Sequence, residues 1–231
     1  SDALDALGVC LDLTPEQIAE CVVSIGVGFL FAPAHHSAMK HAIGPRRELA
    51  MRTLFNVLGP LTNPAFVQRQ VLGVYDAALC EPLANALREL GSIHALVLHS
   101  EDGLDEISIA APTRGFELHH GAINPIEIVP GTYGHAHDSL EGLQVATALE
   151  SATLIRAVLA GETGSALCKA RSIITLNAGA GIYVSGKVPT LTEGVVAAEV
   201  AITSGAAIEK LEAFAALTQE LAQASEEVSD Q

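Results

Sequence analysis

The sequence predicts an α/β fold, a mostly parallel sheet flanked by helices. Three observations carry that prediction. Short segments rich in β-branched residues alternate with segments of helical period along the chain. The stretch "SIHALVLHS" (92–100) has a continuous apolar centre, the pattern of a parallel strand covered on both faces. Hydrophobic residues make up 49% of the 231, yet aromatics are only 4% and Trp is absent, which favours close helix–sheet packing over an aromatic-rich sandwich.

The elements follow in order. "SDALDALG" opens the chain as a helix with Leu4 and Leu7 on one face; it has no Met and no lead-in, so the chain reads as a piece of a longer protein or as a processed one. "LTPEQIAECVVSIG" has helix-start chemistry. Thr14 is the N-cap, Pro15 suits the first turn and Gln17 completes a capping box. Ile18, Cys21, Val22 and Ile25 follow at helical spacing, and Gly26 ends the run. "VGFLF" then reads as a short buried strand ending at Ala32–Pro33. Residues 37–58 read as helical segments broken at Gly44–Pro45.

"QVLGVY" is a strand, and 81–90 a helix with Leu83, Ala86, Leu87 and Leu90 on one face. "GFELHH" and "NPIEIVP" read as short strands. Helices are predicted over 147–160, 167–177, 191–204 and 206–221, with "AGIYVSG" after the second as a turn or short strand. The terminal "AQASEEVSDQ" is polar and acidic with no apolar face, which predicts a flexible tail.

Charge narrows the function classes. Lys+Arg number 12 against 27 Asp+Glu, a formal net charge of −15. Nucleic acid and anionic membranes are poor partners for such a surface, because both need Lys or Arg to neutralise phosphates. The longest run without Asp, Glu, Lys or Arg, Cys21–Met39, contains Gly26, Gly28, Pro33 and two His, so it is no membrane span. A phosphate-bearing ligand would need a local arginine cluster or a metal ion. Cys10, Cys21, Cys80 and Cys168 form no C-x-x-C pair and sit in apolar contexts. They read as buried free thiols of a reducing cytoplasm, a disulfide or a catalytic Cys being the alternatives.

Four constellations could carry chemistry. "APAHHSAMKHAIGPRRELAMRTLFNVLGPLTNPA" (32–65) gathers His41, Arg46, Arg47 and Arg52 in an acidic chain; Arg is suited to two-point recognition of a carboxylate, although two solvated arginines on a helix would look the same. "HSEDGLDEIS" follows the 93–99 strand, at the carboxyl end where open α/β sheets bind ligands. There Asp105 and Glu106, with Asp102 and Ser108 nearby, could offer hard oxygens to Mg²⁺, or could simply be an acidic turn. His135 and His137 have metal-like spacing without an apparent third ligand, so a non-metal role is favoured, and His119–His120 is read the same way. His35 and His36 follow a strand end but point opposite ways. "NAGAG" (177–181) lacks the third Gly of a dinucleotide motif and any Walker Lys; a helix C-cap or close helix packing accounts for it better than a phosphate cradle.

Together, "FAPAHHSAMKHAIGPRRELAMRTLFNVLGPLTNPA", "DGLDEIS" and "LNAGAGIYVSG", in this order and spacing, resemble the anthranilate phosphoribosyltransferase family of tryptophan biosynthesis. The R-x₆-T-x-F-N-x-L-G-P-L-T-N-P pattern (Arg46 to Pro64) is the specific part, and the resemblance runs from about residue 1 to about residue 221. It implies a fold of the nucleoside phosphorylase/phosphoribosyltransferase type with a small helical domain, usually a cytoplasmic homodimer. On that basis residues 1–36 are the first part of the α/β domain and 37–58 a remnant of the helical lobe. Residues 59–221 are the α/β catalytic domain and 222–231 the tail.

The resemblance implies transfer of the phosphoribosyl group of phosphoribosyl pyrophosphate to the amine of anthranilate, with Mg²⁺ as cofactor. Arg46 matches the arginine that pairs with the anthranilate carboxylate. Pro33, His36, Met39 and Gly59 match positions lining the anthranilate channel; relatives often carry Tyr where Met39 stands, which removes a polar contact. Asp105 and Glu106 match the pair that holds Mg²⁺ on the pyrophosphate. The family's G-T-G-G-D, N-I-S-T and K-H-G-N segments do not occur in these 231 residues, so the polypeptide alone is expected to be inactive or nearly so. A pyrimidine nucleoside phosphorylase-like enzyme and a non-catalytic binding protein of the same fold are the alternatives. The turn 59–64 and Arg46 speak against the first, and Arg46 with Asp105 and Glu106 against the second.

Overall fold

A computed structural model of the protein describes residues 2–31 and 59–229. In chain order its elements are α1 (Asp2–Ala6), α2 (Pro15–Ile25), β1 (Arg69–Gly73), α3 (Cys80–Glu89), β2 (His94–Ser100), β3 (Thr113–His119), β4 (Ala122–Ile128), α4 (Ala148–Leu159), α5 (Ser165–Val184), α6 (Leu191–Thr203) and α7 (Ala206–Ser229). Two compact units share them: residues 1–53, 145–162 and 202–231 form one, 54–144 and 163–201 the other. Among the described residues, no single helix is long and apolar enough to cross a membrane.

The first unit is helical. The capping box of α2 is complete: the Gln17 N–H donates to Thr14 Oγ1 at 3.3 Å, and the Thr14 N–H donates to Gln17 Oε1 at 2.9 Å. Gly26 closes the helix in the left-handed region (φ 79°) and donates to the Val22 carbonyl. Ile18 and Cys21 pack with Val9, Leu13 and Phe214. The strand expected at "VGFLF" is not formed; residues 27–31 are irregular, because Val27, Phe29 and Leu30 are consumed in covering this helical core rather than pairing in the sheet. Helix α7 runs through Ser229, into the 222–231 stretch that the sequence predicts to be a flexible tail. The expected helical segments within 37–58 lie outside the described residues.

The second unit holds the sheet, in the order β1-β2-β3-β4. Only β1–β2 is parallel, and β2–β3 and β3–β4 are antiparallel, which corrects the mostly parallel expectation for the described strands. The reason is connection length. His120 and Gly121 alone join β3 to β4, with φ of 48° and 83°, a two-residue turn that fits antiparallel strands and is far too short for a crossover.

The apolar run of β2 is explained by two-sided burial. Ala95 and Val97 face Leu83, Ala84 and Leu87 of α3, whereas Leu96 and Leu98 face Leu176 and Ala180 of α5 and Val195 of α6. Helix α5 continues unbroken through "NAGAG" and "AGIYV", so neither a C-cap at that point nor a strand after it exists. Close packing is what the small residues serve: a Cβ on Gly179 would lie 2.7 Å from the Val195 backbone, and one on Gly194 would strike the Gly179 carbonyl. The cysteines are free thiols, with Cys21 and Cys80 buried, Cys10 half-buried and, against expectation, Cys168 exposed near the start of α5.

Asn177 of α5 ties this helix to the loop that follows β2. Its Oδ1 accepts from the Ile107 N–H, and its Nδ2 donates to the carbonyls of Ile107 and Ile173, all at 2.9 Å. Ile107 is fully buried. Replacing Asn177 with Ala orphans both backbone groups of Ile107. The expected cost is about 1–3 kcal/mol per group, read as a fall in the chemical-denaturation midpoint; an unchanged midpoint would refute the clamp.

Candidate functional site

The loop after β2 is built by its own polar groups. Gly103, at φ 91°, turns the chain, donating to the Ser100 carbonyl while the Ser100 N–H donates to Leu104 O. Asp102 accepts from the Ser108 hydroxyl at 2.5 Å and from the Leu104 N–H at 3.4 Å. Partial burial pushes the Asp102 carboxyl up, but hydrogen bonds from Ser108, Ser100 and Leu104 outweigh this and hold it below its usual range. The Ser108 hydroxyl also accepts from Ala110, and its N–H donates to Thr113. Asp102 and Ser108, which the sequence places beside the acidic pair as possible ligands, are thus committed to holding the loop.

Asp105 and Glu106 remain exposed, and they line a cleft of about 290 Å³ with Val71, Gly73, Leu98, Ile107 and Asn177. The end of β1 runs directly beneath them: a Cβ on Gly73 would overlap the Asp105 carbonyl. Only glycine permits that approach. From the other side Asn177 grips Ile107, the next residue along. The acidic pair is therefore held by backbone contacts at both ends while its side chains stay free. Loss of water around the Glu106 carboxylate and then the charge of Asp105 push the Glu106 carboxyl above its ordinary 4.5. Two adjacent carboxylates suit a hard divalent cation, which takes one or two carboxylates and leaves its other positions to water and phosphate oxygens.

The remaining sequence-predicted residues are placed as follows. Pro33, His36, Met39 and Arg46 lie outside the described residues, as do His35, His41, Arg47 and Arg52. Gly59 begins a turn in which the Thr62 N–H returns to its carbonyl and Asn63 caps Ala65; it does not line the acidic cleft. His135 and His137 converge on the buried Ser172 hydroxyl, at 3.2 and 3.0 Å, a serine that takes the place of a metal between them. Asn177 was not legible as a site residue. Its signal is an Asn in the middle of an otherwise small and apolar helix, where a side-chain amide needs partners.

The raised Glu106 pKa fixes a sign. Its charged form is disfavoured by folding, so ionised Glu106 lowers stability above its folded pKa and costs nothing below the ordinary glutamate value. Glu106→Gln is therefore expected to be more stable than wild type at neutral pH without Mg²⁺, with the gain fading as pH falls through the raised folded pKa towards 4.5 and absent below it. Paired denaturation curves at the two pH values check this, and a variant no more stable at neutral pH would contradict it.

Residues 1–208 match the family described as "Glycosyl transferase family, a/b domain". Among curated relatives, anthranilate phosphoribosyltransferase of Saccharophagus degradans is 56% identical over 91% of this chain and 62% of its own length. That of Cellvibrio japonicus is 55% identical over 96% of this chain and 64% of its own. The crystal structure of anthranilate phosphoribosyltransferase from Thermus thermophilus superposes with a TM-score of 0.85 at 40% identity, covering 94% of this chain and 64% of that one. The Saccharomyces cerevisiae enzyme in complex with PRPP and Mg superposes with a TM-score of 0.84 at 27% identity, covering 95% of this chain and 62% of that one. The chain thus spans somewhat under two thirds of the length of these relatives, and it belongs to the glycosyl transferase family whose α/β domain it carries.

Proposed function

We propose that the protein transfers the phosphoribosyl group of phosphoribosyl pyrophosphate to the amine of anthranilate, giving N-(5-phosphoribosyl)anthranilate and pyrophosphate in tryptophan biosynthesis. The observation that carries this reading is the 56% identity over 211 residues to a relative of that name. The cleft holding Asp105 and Glu106 supports it.

The two carboxylates would hold Mg²⁺, as their exposed, adjacent oxygens fit the ion's preference. When bound, the ion offsets charge gathering on the departing pyrophosphate. Asn177 and Gly73 keep the two carboxylates aimed into the cleft. Arg46 pairs with the anthranilate carboxylate by a two-point contact, and Pro33, His36, Met39 and Gly59 wall the acceptor so that its amine faces ribose C1. Segment 37–58 belongs on this reading to a small helical lobe. The C1–N bond forms as the C1–O bond to pyrophosphate breaks, through an oxocarbenium-like transition state, and the amine's surplus proton leaves to water or pyrophosphate. The amine is already a nucleophile, so positioning supplies most of the effect and no covalent enzyme intermediate is needed. A cytoplasmic homodimer is the working form, the compartment being in keeping with four free thiols.

Steady-state kinetics on the intact protein test the assignment. Arg46→Ala is expected to raise KM for anthranilate about 10- to 100-fold, the worth of a charge-assisted pair, with KM for phosphoribosyl pyrophosphate nearly unchanged. Equal losses for both substrates would remove Arg46 from the acceptor site. Asp105→Asn with Glu106→Gln is expected to abolish Mg²⁺ dependence and most activity, and an unaffected rate would sink the metal assignment. Phosphate-dependent nucleoside cleavage in place of transfer would replace the reading with a phosphorylase.

A further inference from the structure

A second cluster of metal-ligating side chains lies at the opposite end of β2. His94 opens that strand, and Glu117 and His119 stand two residues apart at the close of β3. The register sets His94 opposite His119 and Leu96 opposite Glu117, so all three side chains project from the face that carries Leu96 towards α5. One ligand atom from each lies within 4.8 Å of the other two. His94 is 2% exposed, Glu117 half-buried and His119 exposed, so the cluster is anchored inside and open to solvent on one side.

The geometry is partly set already. Glu117 Oε1 lies 2.8 Å from His94 Nε2 and accepts from the Tyr183 hydroxyl of α5 at 2.6 Å. The Tyr183 ring meets the His94 ring edge-on at 4.8 Å, and the His94 and His119 rings stack at 4.3 Å. Such an arrangement could be a hydrogen-bonded triad alone. Two features favour a metal. Two imidazoles and one carboxylate form a common donor set of Zn²⁺ with an open fourth position, whereas Mg²⁺ takes oxygen ligands. An outer hydroxyl fixing a ligating carboxylate is the usual support of such sites. The opposing charge nearby is Arg69, whose guanidinium is turned to the Val184 carbonyl at 3.0 Å.

We propose that His94, Glu117 and His119 bind Zn²⁺ or a similar borderline transition-metal ion at a site distinct from the Asp105–Glu106 cleft. Four residues of β2, His94 to Leu98, separate the two, roughly 13 Å at strand rise. The fourth position faces solvent through the exposed His119 side and takes water. Through Tyr183 the ion also joins α5 to the β2–β3 pair, so its occupancy stabilises the sheet by mass action.

The test is a Zn²⁺ titration of the chelator-treated intact protein against a chromogenic competitor, with Co²⁺ absorption as a second readout. One equivalent is expected to bind, to survive Asp105→Asn with Glu106→Gln, and to raise the melting temperature. His119→Ala, an exposed change that leaves the fold intact, and Glu117→Gln are each expected to weaken binding at least about tenfold and to remove the thermal shift. No binding by the wild type would overturn the proposal. So would unaltered affinity in both variants, or loss of binding on changing His135 and His137 instead.

Discussion

The contact on which the site depends is a side-chain amide gripping a backbone. Asn177 satisfies both the N–H and the carbonyl of Ile107. Without it the N–H and carbonyl of the buried Ile107 lose the partner the fold gives them, at a cost comparable to a sizeable part of a domain's stability. The clamp also explains why α5 cannot end at "NAGAG". The helix must carry Asn177 past the loop and then continue, so that Gly179 can meet the Val195 backbone and Ala180 and Val184 can cover Leu96 and Leu98. Loop position, helix length and helix spacing are thus one solution rather than three.

Much of the fold was legible because it is decided locally. The Thr14–Gln17 box and Gly26 fix α2 within the stretch from Thr14 to Gly26, and the periodicity of 81–90 and the apolar run of 92–100 locate α3 and β2 to within a residue or two. What local chemistry does not decide was missed. Strand direction in β3 and β4 is set by the left-handed pair His120–Gly121, not by the strands' own residues. The segment "VGFLF" has strand composition, but α2 and Phe214 compete successfully for its side chains. Small residues at 178–181 suggest an end or a turn when read alone; they become helix interior only because Gly194 arrives from fifteen residues away.

The site divides the same way. That Asp105 and Glu106 share one cleft was legible, because adjacency in sequence is adjacency in space on a tight loop. Asn177 was not, because its partner lies 70 residues away. The histidines make the point twice. His135 and His137 look like ligands by spacing and are instead satisfied by Ser172, while His119, unpromising beside His120, is set opposite His94 by cross-strand register. Side chains that act together across strands leave no mark at short sequence separation.

The contact between Gly73 and Asp105 has a consequence for how such a site can change over time. It joins one backbone to another, so the position of residue 105 owes nothing to the carboxylate it bears. Structure constrains residue 73 strictly and residue 105 hardly at all. Lineages carrying this scaffold can therefore exchange the group displayed at the cleft, and with it the ion or substrate recognised, without rebuilding the loop that displays it.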